Sequence, residues 1–190
     1  MKNKFWIMLL SFAFFSCSKK MYVKEDYTLY EQDFKRNPIS QLRTDGVYVL
    51  ENIWTKDSGR KPEEHIFYKF YEEGQVNITV DVGHQIKTEQ EYIESIKKHI
   101  ASTNQPKFTT HFEGYYKMEA NKIVIQRVSS PRNLFVYYYG IVEKDKLIIV
   151  KETIDGKGKI EDKYFTDYYK ETYPFLPLDK SQIENLKPGW

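Results

Sequence analysis

Val76-Asn77-Ile78-Thr79-Val80-Asp81-Val82 alternates apolar and polar residues without a miss. Successive side chains of an extended chain point to opposite faces, so a period of two predicts a strand with one buried face. Ile66-Phe67-Tyr68-Lys69-Phe70-Tyr71 precedes it across Glu72-Glu73-Gly74-Gln75, where Gly74 can take the left-handed backbone that a short hairpin loop needs. The same reading extends both ways. Val47 to Trp54, opened by Asp45-Gly46, is a first strand; Phe112 to Glu119, Lys122 to Val128, Leu134 to Glu143, Lys146 to Thr153 and Lys159 to Phe165 follow. Ala120-Asn121, Pro131, Lys144-Asp145 and Asp155-Gly156-Lys157-Gly158 separate them, which gives eight strands, each long enough to cross a small barrel.

Two of the hairpins repeat. Glu119-Ala120-Asn121-Lys122-Ile123-Val124-Ile125 matches Glu143-Lys144-Asp145-Lys146-Leu147-Ile148-Ile149, with Asn or Asp, which tolerate positive φ, in a two-residue turn. One helix interrupts the strands. Thr88 and Glu91 have capping-box spacing, and Tyr92, Ile93, Ile96 and Ile100 form one face while Glu94, Lys97 and Lys98 form the other. Asn104 and Pro106 are expected to end it. The expected fold is all-β: an eight-stranded antiparallel up-and-down barrel or half-barrel, with one amphipathic helix between strands 3 and 4 closing a mouth. A partner-binding helix is the alternative.

The N-terminus carries an address. Lys2 and Lys4 precede an apolar run from Phe5 to Phe15, and Ser16 stands before Cys17, the single cysteine. This segment resembles the lipobox of bacterial lipoproteins, which implies cleavage before Cys17 and acylation of its thiol. As an uncleaved helix, residues 5–16 would rise only about 18 Å, short of a hydrocarbon core of about 30 Å. The chain then divides into a signal peptide (1–16), an acylated N-terminus and tether (17–44), a β domain (45–170) and a C-terminal tail (171–190). Ser18 suits an outer-membrane position facing the periplasm; Glu25-Asp26, further on, is a weaker argument for surface display.

Charge excludes one class of partner. The chain has 29 Lys and Arg against 27 Asp and Glu, and two of the lysines leave with the signal. With no basic excess and five dispersed arginines, no footprint for nucleic acid exists. A lone cysteine also permits no internal disulfide, so the core must carry the fold.

Leu42-Arg43-Thr44-Asp45-Gly46-Val47-Tyr48, Glu113-Gly114-Tyr115-Tyr116 and Tyr138-Tyr139-Gly140, the last two each before a hairpin, resemble lipocalin-like domains of small lipoproteins of the Bacteroidetes group. The resemblance covers roughly residues 42–170. It implies an antiparallel barrel or half-barrel and no particular ligand, and the Gly-x-Trp of true lipocalins is replaced by Gly46-Val47-Tyr48.

An eight-stranded barrel is filled by side chains or holds one small ligand. With Ile123 and Ile125 inward, parity places Arg127 on the same face, and Tyr138 shares a face with Leu134 and Val136. Arg127, Tyr116 and Tyr138 are therefore the candidate ligand-binding residues. Guanidinium binds carboxylate or phosphate oxygens bidentately while rings cover an apolar body. The alternative leaves Arg127 in solvent and the tyrosines as ordinary sheet residues. His65, His84, His99 and His111 form no close ligand pair, no Gly-x-Ser-x-Gly elbow occurs, and no acid/base pair of carboxylates stands out, so no metal, cofactor or catalytic residue is expected. Tyr173 to Leu178 and Pro188-Gly189-Trp190 give the tail an aromatic, proline-rich character, with Ser181 positioned to cap a short helix. Two functions fit: binding of a small amphipathic ligand, or a protein-interaction module serving an envelope partner. Cys17→Ser is expected to abolish incorporation of labelled palmitate; label persisting in the variant would remove the anchor from this reading.

Overall fold

The alternation around Val76 becomes the β4–β5 hairpin of a closed antiparallel barrel. The computed structural model describes residues 22–37, 39–103, 112–129 and 134–190. Cys17 with the signal stretch, Asn104, Pro106, His111 and Pro131 lie outside them. The strands are β1 (Gly46–Val49), β2 (Asn52–Thr55), β3 (Ser58–Arg60), β4 (His65–Phe70), β5 (Gln75–Asp81), β6 (Glu113–Glu119), β7 (Lys122–Ser129), β8 (Leu134–Glu143), β9 (Lys146–Thr153) and β10 (Tyr169–Pro177). From β4 to β10 each strand pairs with the next, β1 pairs with β4, and β10 returns to β1. Eight strands thus close the barrel, and β2 and β3 are additions to it.

Gly74 takes φ +86° in the β4–β5 loop, as its position predicted, and a Cβ there would lie 2.8 Å from the Phe34 ring. In the repeated hairpins the two-residue turns are present, but the positive φ falls on Ala120 (54°), not on Asn121.

Three expectations need correction. The first strand, Val47 to Trp54, breaks at Leu50-Glu51. Tyr48 pairs with Phe175 and Asn52 with Thr172, so residues 49–51 face only Tyr173 and Pro174. Such a bulge bends a strand, and it falls opposite a proline that has no N–H to donate. Beyond it β2 keeps β10 but leaves β4 for β3. The helix, α1 (Glu89–Thr103), therefore follows the fifth strand instead of lying between the third and fourth. Lys159 to Phe165 is no strand: it holds a 3-10 turn at Asp162–Tyr164, with Tyr164 stacked on Tyr139 at 4.5 Å. The closing strand is β10, most of which lies in the stretch that the sequence assigns to the tail.

Helix α1 has the expected capping box, with the Glu91 amide donating to Thr88 Oγ1 (3.4 Å) and the Thr88 amide to Glu91 Oε2 (2.8 Å). Its Ile stripe does not close a mouth. Tyr92, Ile93, Ile96 and Ile100 lie on the outer wall against Val47 and Phe67, because β1 and β4 carry apolar residues on both faces. His65 fastens the helix, its Nδ1 3.1 Å from Asp81 Oδ2 and its Nε2 2.7 Å from the Tyr92 hydroxyl. The tail helix α2 (Lys180–Ile183) is capped by Asp179, whose carboxylate accepts from the Ser181 amide, so the cap sits two residues before the predicted one.

The segment before the barrel is docked along it. Tyr27 and Leu29 are buried on the outer wall with Tyr115, Val124, Tyr137 and Tyr139, while Phe34 and Leu42 pack with the interior cluster. Gln126, fully buried, holds this strap: its Oε1 accepts from the Leu29 amide (2.9 Å) and the Thr28 hydroxyl (3.2 Å). Replacing Gln126 by Leu orphans that amide, at a cost of about 1–3 kcal/mol. The expected result is faster hydrogen exchange at Leu29 and a lower urea midpoint.

Candidate functional site

The barrel interior is filled by aromatic and aliphatic side chains, and its charged groups, Arg127 and Glu171, gather toward one end. On β7 the inward positions are Ile123, Ile125 and Arg127, as parity required; on β8 they are Val136, Tyr138 and Val142. Ile125 is paired with Tyr138 and Arg127 with Val136, which sets the guanidinium beside the phenol. Arg127 Nη2 donates to the Tyr138 hydroxyl, and its guanidinium carbon is 4.8 Å from the Tyr138 ring centroid. Arg127 Nε is buried without a hydrogen-bond partner, and among the described residues no carboxylate lies within ion-pair distance of this side chain.

β10 supplies the other half. The Glu171 carboxylate accepts from the Tyr169 hydroxyl and from the Tyr173 hydroxyl (2.6 Å). Tyr68, buried, meets Tyr173 edge-on at 5.1 Å between ring centroids. Burial pushes the Tyr68 and Tyr173 phenols well above the usual tyrosine range. It also raises Tyr138 against the opposing pull of Arg127, and raises Tyr169. At neutral pH these phenols are therefore neutral donors and acceptors, grouped with a permanent cation, Arg127, and a carboxylate held by two of them.

A gap in the wall gives access. The register of β8 and β9 shifts between Tyr139 and Gly140, and the pairing of β9 with β10 ends at Ile149 and Glu171. Beyond that point the two strands part, leaving an open cleft of about 350 Å³ whose walls include Tyr138, Glu152, Thr166, Tyr169 and Glu171. Bulges beside sites commonly re-aim side chains in this way.

Of the three residues named from the sequence, the structure brings Arg127 and Tyr138 together, and of these two only Tyr138 lines the cleft, with Arg127 behind it on the Tyr138 hydroxyl. Tyr116 does not line the cleft: it is fully enclosed, its hydroxyl donates to the Tyr71 carbonyl (2.9 Å), and its ring meets Phe34 at 5.3 Å and Phe70 at 5.2 Å. Glu171, Tyr169 and Tyr173 were missed. Their spacing of two was a readable strand signal, obscured by Pro174 and Pro177. Among the described residues no group of three or more His, Cys, Asp or Glu is placed to hold a metal ion. The cleft's lining includes no His, Ser or Cys. Tyr116→Phe is expected to cost about 1 kcal/mol in urea unfolding, because it unmakes one buried hydrogen bond.

Compared with known proteins, the chain matches no family model, no curated protein and no solved structure.

Proposed function

We propose that this chain is a lipid-anchored envelope protein whose lipocalin-like barrel binds, without chemistry, a small amphipathic ligand such as a lipid or glycan fragment. The observation that carries the reading is Arg127, held on the inward face of β7 with its Nε unpartnered and, among the described residues, no carboxylate paired to it. A guanidinium set among neutral phenols favours a carboxylate or phosphate group, and the rings beside it suit an apolar body. The ligand sits at the cleft and not deep in the barrel, because Tyr48, Tyr68, Phe70, Tyr116 and Tyr173 fill the interior. The cleft's volume of about 350 Å³ is near the lower end of small-molecule sites, which run from about 300 to 1,000 Å³.

The anchor rests on the sequence around Cys17, and the position facing the periplasm on Ser18. No helix among the described residues is long and apolar enough to cross a membrane.

The same filled interior supports a second reading, a protein-interaction module that binds an envelope partner through its loops or tail. Native mass spectrometry of residues 18–190, secreted from the native host so that natural ligands are present, separates the two. The expected result is a reproducible small adduct that is lost on Arg127→Ala, which also gives the ligand's mass. A bare domain, or an adduct indifferent to Arg127, would turn the reading toward the interaction module.

A further inference from the structure

Lys69 lies outside that site and is the most unusual charged residue of the described fold. It stands on the outward face of β4, opposite Asn77 of β5, and only 3% of its surface is exposed. Its ammonium donates to the Thr44 carbonyl and lies 5.2 Å from the Tyr71 ring centroid. Buried ammonium groups are ordinarily matched to a carboxylate. Here the nearby acids are taken by other cations: Asp45 by Arg43 (2.9 Å), Glu72 by Arg36 (2.7 Å) and Glu73 by Lys187 (3.0 Å). Among the described residues no carboxylate lies within ion-pair distance of Lys69.

The amine also has a cavity beside it. The tail from Lys180 to Pro188 passes over the end of the β4–β5 hairpin and leaves a groove of about 310 Å³ between them. Lys69, Tyr71 and Gln75 form its sheet side, and Ile183, Leu186 and Pro188 its tail side. Asp45, Glu72, Glu73, Lys180, Glu184 and Lys187 are the charged groups around it. Desolvation outweighs the attraction of Asp45 and Glu72 and lowers the Lys69 ammonium to about 8. At pH 7 about one molecule in ten then carries a neutral amine, against about one in 2,500 for an ordinary lysine.

We propose that Lys69 is a nucleophilic amine that takes small aldehydes or ketones as a covalent imine inside this groove. The nitrogen lone pair attacks the carbonyl carbon as the C=O π pair moves to oxygen, giving a carbinolamine. That adduct loses its oxygen as water, which carries away both amine hydrogens, and a C=N bond remains. No oxidant or reductant enters the step. The groove suits a carbonyl compound with a compact apolar body, since Tyr71, Ile183 and Leu186 supply its apolar walls.

The test treats the folded exported chain with benzaldehyde and cyanoborohydride, which reduces each imine to a stable benzylamine, and maps the rate at every lysine by peptide mass spectrometry. The expected result at pH 7 is modification of Lys69 at least about tenfold faster than the median lysine, with the advantage shrinking toward pH 10 and vanishing in urea. Modification of Lys69 no faster than the median at pH 7, or an advantage that survives unfolding, would overturn the proposal. Because the wild-type map is site-resolved, it decides the matter by itself. Lys69→Arg, which keeps donors for the Thr44 carbonyl, serves as the mass control for the peptide.

Discussion

Gly46 pairs with Pro177, Val47 with Leu176 and Tyr48 with Phe175, and these backbone pairings join the first strand to the last. Every other strand-to-strand contact around the barrel links segments that follow one another through a hairpin, the α1 crossover or a loop, or links β1 to the nearby β4. The closing seam, continued by β2 along β10, gathers nearly the whole domain into one loop, and closure abolishes the two edges an open sheet would expose. Its geometry is demanding at Gly46, where a Cβ would lie 2.1 Å from the Leu176 carbonyl oxygen. Closure also fixes the interior volume, and the chain meets that volume with large rings: Tyr48, Tyr68, Phe70, Tyr116 and Tyr173 are each nearly inaccessible to solvent.

A core rich in tyrosine must also place its hydroxyl groups. Tyr48 accepts from the Arg43 amide (2.9 Å), Tyr116 donates to the Tyr71 carbonyl, and Tyr173 donates to Glu171. The interior is thereby divided: at one end phenols tie the strap and hairpins together, and at the other they meet Arg127 and Glu171. The two sets of tyrosines share the interior face of the barrel and differ in the partner their oxygen finds.

Much of the barrel was readable because a one-sided strand writes itself as alternation and a hairpin as a turn residue. Hence β4 to β9 and the capping box of α1 could be drawn from the sequence, and Arg127 could be put inside by counting from Ile123. What could not be read were features decided between distant segments. The bulge at residues 49–51 exists because of Pro174 on the partner strand. β10 was hidden because two prolines normally argue against a strand, yet here Pro174 lies opposite a bulge and Pro177 at the strand's end. The helix went to the outer wall because β1 and β4 are apolar on both faces, and only the sheet's closure shows which of those faces is outside. Tyr116 and Tyr138 look alike in the sequence, and three-dimensional neighbours alone give one a carbonyl and the other a guanidinium.

The docked strap also sets a stand-off distance. Tyr22, at its beginning, packs on Phe135 with ring centroids 4.6 Å apart. Phe135 lies on β8 opposite Val128, next to the Arg127 and Val136 pair, so the strap leaves the barrel at the Arg127 end. From Tyr22 back to Cys17 is a leash of five residues, at most about 17 Å when fully drawn out. On the proposed anchoring at Cys17, the end of the barrel that carries Arg127 would be the end nearest the acylated residue, within about that span of it.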